Sequence, residues 1–200
     1  MIKIYHSRRA RSARVIWLLE ELSVPYTLAP VEFTPASLKS PEYLKLHPLG
    51  LVPVVQDGDV TIFESGAILE YLLEKCGGGR LAPVPGSPER AEYLQWFHYG
   101  EASLARHMSD IVRQRFRETD TPELVLNRSR ERFAETVALV DRVLENRDYI
   151  CGSSFTAADI MVAYGLVMAR IIRELPAEFT HVAAYLERLK QRPAYDRAWS

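Results

Sequence analysis

Cysteine is scarce in this chain. Cys76 and Cys151 are the two present in 200 residues, and they form neither a C-x-x-C pair nor a metal-ligand spacing. No redox dithiol and no metal site is expected, and each cysteine reads as a small helix-end or core residue. An excess of charge of either sign is also missing: 25 Lys and Arg stand against 26 Asp and Glu, a formal net charge of −1. That balance gives no electrostatic footprint for nucleic acid or an anionic membrane surface. Long apolar runs are absent, and the opening "MIKIYHSRRARSARV" has no apolar core of signal-peptide length. A cytoplasmic protein with no membrane and no nucleic-acid partner is expected.

Hydrophobic residues make up 48% of the chain and charged residues 26%, as in ordinary soluble globular proteins. Residues 1–80 alternate between two periods. "IKIYH" (2–6) reads as a short strand; Val15, Leu18, Leu19 and Leu22 then follow at helical spacing. "PYTLAPVEF" (25–33) returns to extended spacing with prolines suited to an edge, and a short helix is predicted over about 36–46. "PVVQDGDVTIF" (53–63) reads as a hairpin around Asp57-Gly58. "ESGAILEYLLEKCGGG" (64–79) reads as a helix stopped by glycines. This order predicts an α/β domain of thioredoxin-like shape over 1–78. The Gly- and Pro-rich stretch 79–87 is a linker, and 88–200 is an all-α helical domain. In that domain Leu94, Phe97, Leu104, Met108 and Ile111 mark one long stripe, and Phe133, Val137, Val140 and Leu144 another. A helix over 153–171 opens with Thr156 and Asp159 in capping-box spacing, and the last helix is expected over about 178–192.

"LGLVPVV" (49–55) places Pro53 within an apolar strand pattern, where a missing N–H excludes a central position. Such a proline, following the flexible Gly50, either makes a cis turn or simply starts an edge strand in trans. A Val52 whose backbone N–H and C=O face outward would accept an extended peptide as another strand does. Glu64 and Ser65 stand where the hairpin meets the N-terminus of a helix, whose free N–H groups and dipole favour an anion. There Ser65 suits a carboxylate and Glu64 an ammonium, the two charges of an α-amino-acid end; the plain alternative is that Ser65 is only an N-cap.

Together these segments resemble the soluble glutathione transferases along essentially the whole chain. "HPLGLVPVV" is similar to that family's N-P-x-G-x-V-P element and "ESGAILEYL" to its E/D-S-x-A-I-x-x-Y-L helix. "SSFTAADI" resembles its S-x-x-D capping box, and "RSARVIWLLEELSVPY" the first helix of bacterial and fungal branches. The resemblance implies glutathione as co-substrate, a small hydrophobic electrophile as the second substrate, no metal, and a homodimer. It implies that Val52, beside Pro53, pairs with the cysteinyl backbone of glutathione, while Glu64 and Ser65 hold the γ-glutamyl end. A free thiol has a pKa near 8.5 and must be activated by a donor or positive potential. Ala10 stands where the serine and cysteine branches carry their active group, which leaves Arg11, Ser12, Ser7, Tyr5 or backbone N–H groups at the helix start for that task. Arg11 and Ser12 are the leading candidates.

His47 replaces the family's usual asparagine, and Leu51 the lysine often found before Val-Pro. Lys39, Lys45 or His47 is then left to take the glycyl carboxylate. Glu101 lies on the apolar stripe of the helical domain, either reaching the ligand ammonium across a dimer cleft or pairing with Arg106. Asp159 is expected to be structural. A non-catalytic binding or regulatory protein on the same fold, or a glutathione-dependent peroxidase or isomerase, are the alternative readings.

Overall fold

The computed structural model describes residues 1–117 and 121–200. Strand β1 (Ile2–His6) buries Ile2 and Ile4 and exposes Lys3, the period of two that a half-covered strand requires. It pairs in parallel with β2 (Tyr26–Pro30) and antiparallel with β3 (Val54–Asp57), which turns through Gly58 into β4 (Val60–Phe63). The sheet has four strands in the order β2-β1-β3-β4. The parallel pair needs a crossover, and helix α1 (Ser12–Leu22) supplies it. The helix predicted over 36–46 is two single turns, α2 (Pro35–Leu38) and α3 (Pro41–Leu44). Each has proline in its first turn and a hydroxyl cap, Thr34 or Ser40. After the hairpin comes α4 (Ser65–Cys76).

The chain divides into two compact units, Met1–Arg80 with Arg192–Ser200, and Leu81–Gln191. The sequence pattern assigned residues 88–200 to the helical domain, yet the final nine fold with the first unit. They form α10 (Pro193–Trp199), which packs on α1. This explains why α1 is buried beyond its predicted stripe: Ile16 and Trp17 are covered as well as Val15, Leu18, Leu19 and Leu22. Trp17 meets Tyr195 edge-on at 5.2 Å between ring centroids.

In the second unit, α5 (Pro88–Tyr99) runs through a π-helical turn, Gly100–Ala105, into α6 (Arg106–Arg117). Helices α7 (Glu123–Leu144), α8 (Ala157–Ile171) and α9 (Thr180–Lys190) complete it. Helix α8 is buried on every side from Ala157 to Ala169, as expected of a helix at the centre of a bundle. At Gly100 a Cβ would lie 2.5 Å from the Met161 carbonyl, so only glycine lets the π-helical turn approach α8 this closely. No described helix is long and apolar enough to cross a membrane.

Candidate functional site

Buried polar groups gather where β1 ends and α1 and α4 begin. Ser7, Ser12, Arg14, His47 and Ser65 are all buried, and burial of such groups requires partners. The Ser7 hydroxyl donates to the Val31 carbonyl. Ser12, 0% exposed, has its Oγ 2.8 Å from His6 Nδ1 and 3.2 Å from the Ser7 carbonyl. The Tyr5 hydroxyl donates to Gln56 at 2.8 Å. Ser12 thus ties the β1–α1 loop together, Ser7 fastens it to the residue after β2, and Tyr5 links β1 to β3. Arg11, half-buried, occupies the N-cap of α1, and no described residue accepts from the backbone N–H of Ser12. Arg9, in the same loop, has φ 60, a left-handed conformation uncommon outside glycine. Ala10 is a core residue, packed with Leu38, Tyr43, Val52 and Val54. A small side chain there lets the loop lie against Val52.

The Val52–Pro53 peptide is cis. Among the described residues, no backbone group bonds to the N–H or C=O of Val52. The preceding loop is anchored on both sides. Lys39 Nζ donates to the Leu49 carbonyl at 2.7 Å, and the Tyr43 hydroxyl to the Leu51 carbonyl at 2.7 Å. Gly50, at φ 56, sits where a Cβ would collide with the Leu38 carbonyl. His47, 2% exposed, accepts the Leu49 N–H on Nδ1 at 3.2 Å and lies 4.5 Å from the Phe63 ring. Burial holds its pKa below the usual value, against the pull of the Glu64 carboxylate. His47 thus serves the loop as a neutral acceptor, and Lys45 is exposed.

Phe63 leads directly to Glu64 and Ser65. Glu64 is exposed and holds φ 72, ψ 112, a strained conformation for a non-glycine residue, just before α4. Its carbonyl still accepts the Ile68 N–H at 2.9 Å. Ser65, 3% exposed, is the first residue of α4, and its Oγ accepts from Arg14 Nη1 at 3.0 Å. Arg14 is 1% exposed and was not singled out from the sequence. The available signal was its place one turn before Leu18, a charge on the buried face of α1. Arg11, Ser12, His47, Val52, Pro53, Glu64 and Ser65 all lie in the first unit, where Ala10 packs on Val52 and Arg14 reaches Ser65. Glu101 belongs to the second unit, half-buried in the π-helical turn. Arg106 is exposed. Among the described residues, no group of three His, Cys, Asp or Glu is placed to hold a metal ion. Cys151 is half-buried, and burial pushes its thiol up to about 12, away from the nucleophilic thiolate form.

The arrangement offers a helix start suited to an anion, a carboxylate beside it for an ammonium, and an unpaired backbone edge just before β3, the strand paired with β4. Known proteins resemble the chain that carries it. The sequence matches the glutathione S-transferase N-terminal domain over residues 1–74 and the C-terminal domain over residues 123–188. Glutathione S-transferase 3 of Schizosaccharomyces pombe is 32% identical over 97% of this chain and 85% of its own length. The Escherichia coli O157:H7 protein GstA is 26% identical over 100% of this chain and 98% of its own. Among solved structures, the glutathione transferase URE2P8 from Phanerochaete chrysosporium with oxidized glutathione is similar at a TM-score of 0.88. It is 27% identical, covering 99% of this chain and 93% of that one. The chain belongs to the glutathione S-transferase family.

Proposed function

We propose that this protein binds glutathione as co-substrate, promotes its thiolate and adds it to small hydrophobic electrophiles. The observation that carries the reading is the pairing of Ser65, at the start of α4, with an exposed Glu64 held in a strained turn. Glu64 would take the γ-glutamyl ammonium and Ser65, with the α4 N–H groups, its carboxylate. The unpaired Val52 backbone would take the cysteinyl unit as an added strand. Lys39 or His47, already engaged with the loop, would face the glycyl end.

For thiol activation we assign the positive potential of Arg11 together with the free N–H at the start of α1. Ser12, its hydroxyl shared between His6 and Ser7, braces that start. The thiol proton passes to water, the sulfur lone pair forms the new S–C bond, and the leaving group departs with its bonding electrons. With a chloronitroarene, chloride leaves. The Ala10 position also supports a second reading, a protein that binds glutathione without turnover. In the catalytic reading the parent turns over a chloronitroarene with glutathione, and Arg11→Ala raises the bound thiol pKa by about one unit, costing about tenfold in kcat/KM at neutral pH. Ser12→Ala lowers stability and leaves that pKa in place. If Ser12→Ala shifts the thiol pKa and Arg11→Ala does not, the assignment is reversed. Glutathione binding with no turnover selects the second reading, and calorimetry that detects no binding removes both.

A homodimer and a cytoplasmic location complete the proposal. Exposed apolar side chains at Leu49, Leu51 and Phe63 support self-association. Sedimentation should give about twice the 22.8 kDa chain mass.

A further inference from the structure

We infer that Arg14 is a positioning residue for glutathione: it commits the Ser65 hydroxyl to donating toward the γ-glutamyl α-carboxylate. The inference rests on the glutathione site proposed above. It starts from an asymmetry of side-chain chemistry. A guanidinium carries donors and no acceptor, whereas a hydroxyl has one proton and two lone pairs. Arg14 Nη1 stands 3.0 Å from Ser65 Oγ, so a Ser65 lone pair is occupied and its proton cannot point back toward α1. Among the described residues none accepts that proton. It is directed instead to the ligand side of the α4 N-terminus, where first-turn N–H groups already favour an anion.

Three consequences separate this role from mere packing. A charged donor polarises the hydroxyl it binds and strengthens the bond that hydroxyl makes onward. Burial of both groups fixes the geometry, since Arg14 is 1% and Ser65 3% exposed. The planar fork of arginine also holds a direction that a lysine ammonium, a point charge on a flexible stem, does not. The effect therefore concerns one ligand group, the α-carboxylate. The ammonium, cysteinyl and glycyl contacts do not depend on it.

The experiment uses two probes: glutathione and 4-aminobutyryl-cysteinyl-glycine, which keeps the amine and lacks the α-carboxylate. Binding is measured by calorimetry for the parent, Arg14→Met, Arg14→Lys, Ser65→Ala and the double variant Arg14→Met/Ser65→Ala. Arg14→Met is expected to weaken glutathione about tenfold and to change binding of the shortened analogue less than about twofold. Arg14→Lys should fall between parent and Arg14→Met. On a Ser65→Ala background, the added Arg14→Met change should have little effect, because the hydroxyl it orients is gone. In turnover, the loss should appear in KM for glutathione and not in KM for the electrophile. Equal weakening of both ligands, or a full Arg14→Met effect without Ser65, overturns the inference. If Arg14→Met does not fold, a crystal structure of the parent with glutathione decides. Ser65 Oγ on the α-carboxylate with Arg14 still bonded to it supports the role; a hydroxyl turned away overturns it. A parent that binds no glutathione overturns the underlying site as well, and so differs from a parent that binds both probes equally.

Discussion

His47 takes the Leu49 N–H on Nδ1, so its ring must keep that nitrogen unprotonated while the loop holds its shape. Burial against Phe63 is the main cause of its lowered pKa; Glu64 opposes the shift and Lys39 reinforces it. The consequence for stability has a definite sign. Well above the ordinary histidine value, about 6.5, both folded and unfolded chains carry a neutral ring. As the pH falls through that value the unfolded chain takes up its proton first, and stability is lost until the lower folded pKa is passed. We expect the parent to lose more stability than His47→Gln between about pH 7.5 and 5.5, read from urea midpoints at each pH. His6 is lowered by burial in the same direction, and comparison with the single variant isolates the His47 share. Equal losses in parent and variant would show that the ring is not held neutral. The residue replacing the family's usual asparagine thus keeps an acceptor in the loop, at the cost of acid sensitivity.

Elements defined by nearby residues were legible in the sequence. The β1 alternation, the Asp57-Gly58 hairpin and the Thr156–Asp159 capping box each depend on residues a few positions apart. Asp159 makes the point quantitatively. It is 0% exposed and accepts from the N–H groups of Ile150 and Thr156, each at 2.8 Å, and from the Tyr185 hydroxyl at 2.9 Å. Burial pushes its pKa up to about 6 despite these donors. Asp159→Ala removes a cap and strands two buried donors, so the loss should be about 3 kcal/mol by urea unfolding, well above the roughly 1 kcal/mol of a cap alone. A loss no larger than an exposed cap's would mean that the Ile150 and Tyr185 bonds contribute nothing. The Thr156 spacing revealed the cap; the partners from Ile150 and Tyr185 depend on the fold and did not show. The Arg14–Ser65 bond, spanning 51 positions, and the π-helical turn made by Gly100 against Met161 were hidden for the same reason.

At the scale of the molecule, the first unit is discontinuous: its last helix arrives after the whole second unit has been threaded. Composition marked the Gly- and Pro-rich boundary near residue 80, but nothing local marks α10 as belonging to α1. The link is made by long-range pairs. Arg192 grips Glu21 with Nε at 2.6 Å and Nη2 at 2.7 Å, Arg197 reaches Glu20, and Tyr195 closes on Trp17. Exposed ion pairs contribute little, but Glu21 and Glu20 are only 10% and 14% exposed, and Tyr195 adds a buried ring. Burying one such ring stabilises by about 1.5–3 kcal/mol. A chain ending at Gln191 should therefore fold with a weakened first unit, and the weakness should centre on α1, which carries Arg11 and Arg14 to the site. Amide hydrogen exchange is the suitable measurement, because it reads each element separately. Protection should fall most in α1 and β1, with α8 largely retained, and glutathione affinity should fall with it. Arg192→Ala should reproduce part of the loss, since a bidentate pair leaves Glu21 partly buried and under-partnered. Protection lost equally from α1 and α8, or from neither, would show that α10 does not hold the first unit, and the burial of Trp17 would need another cause.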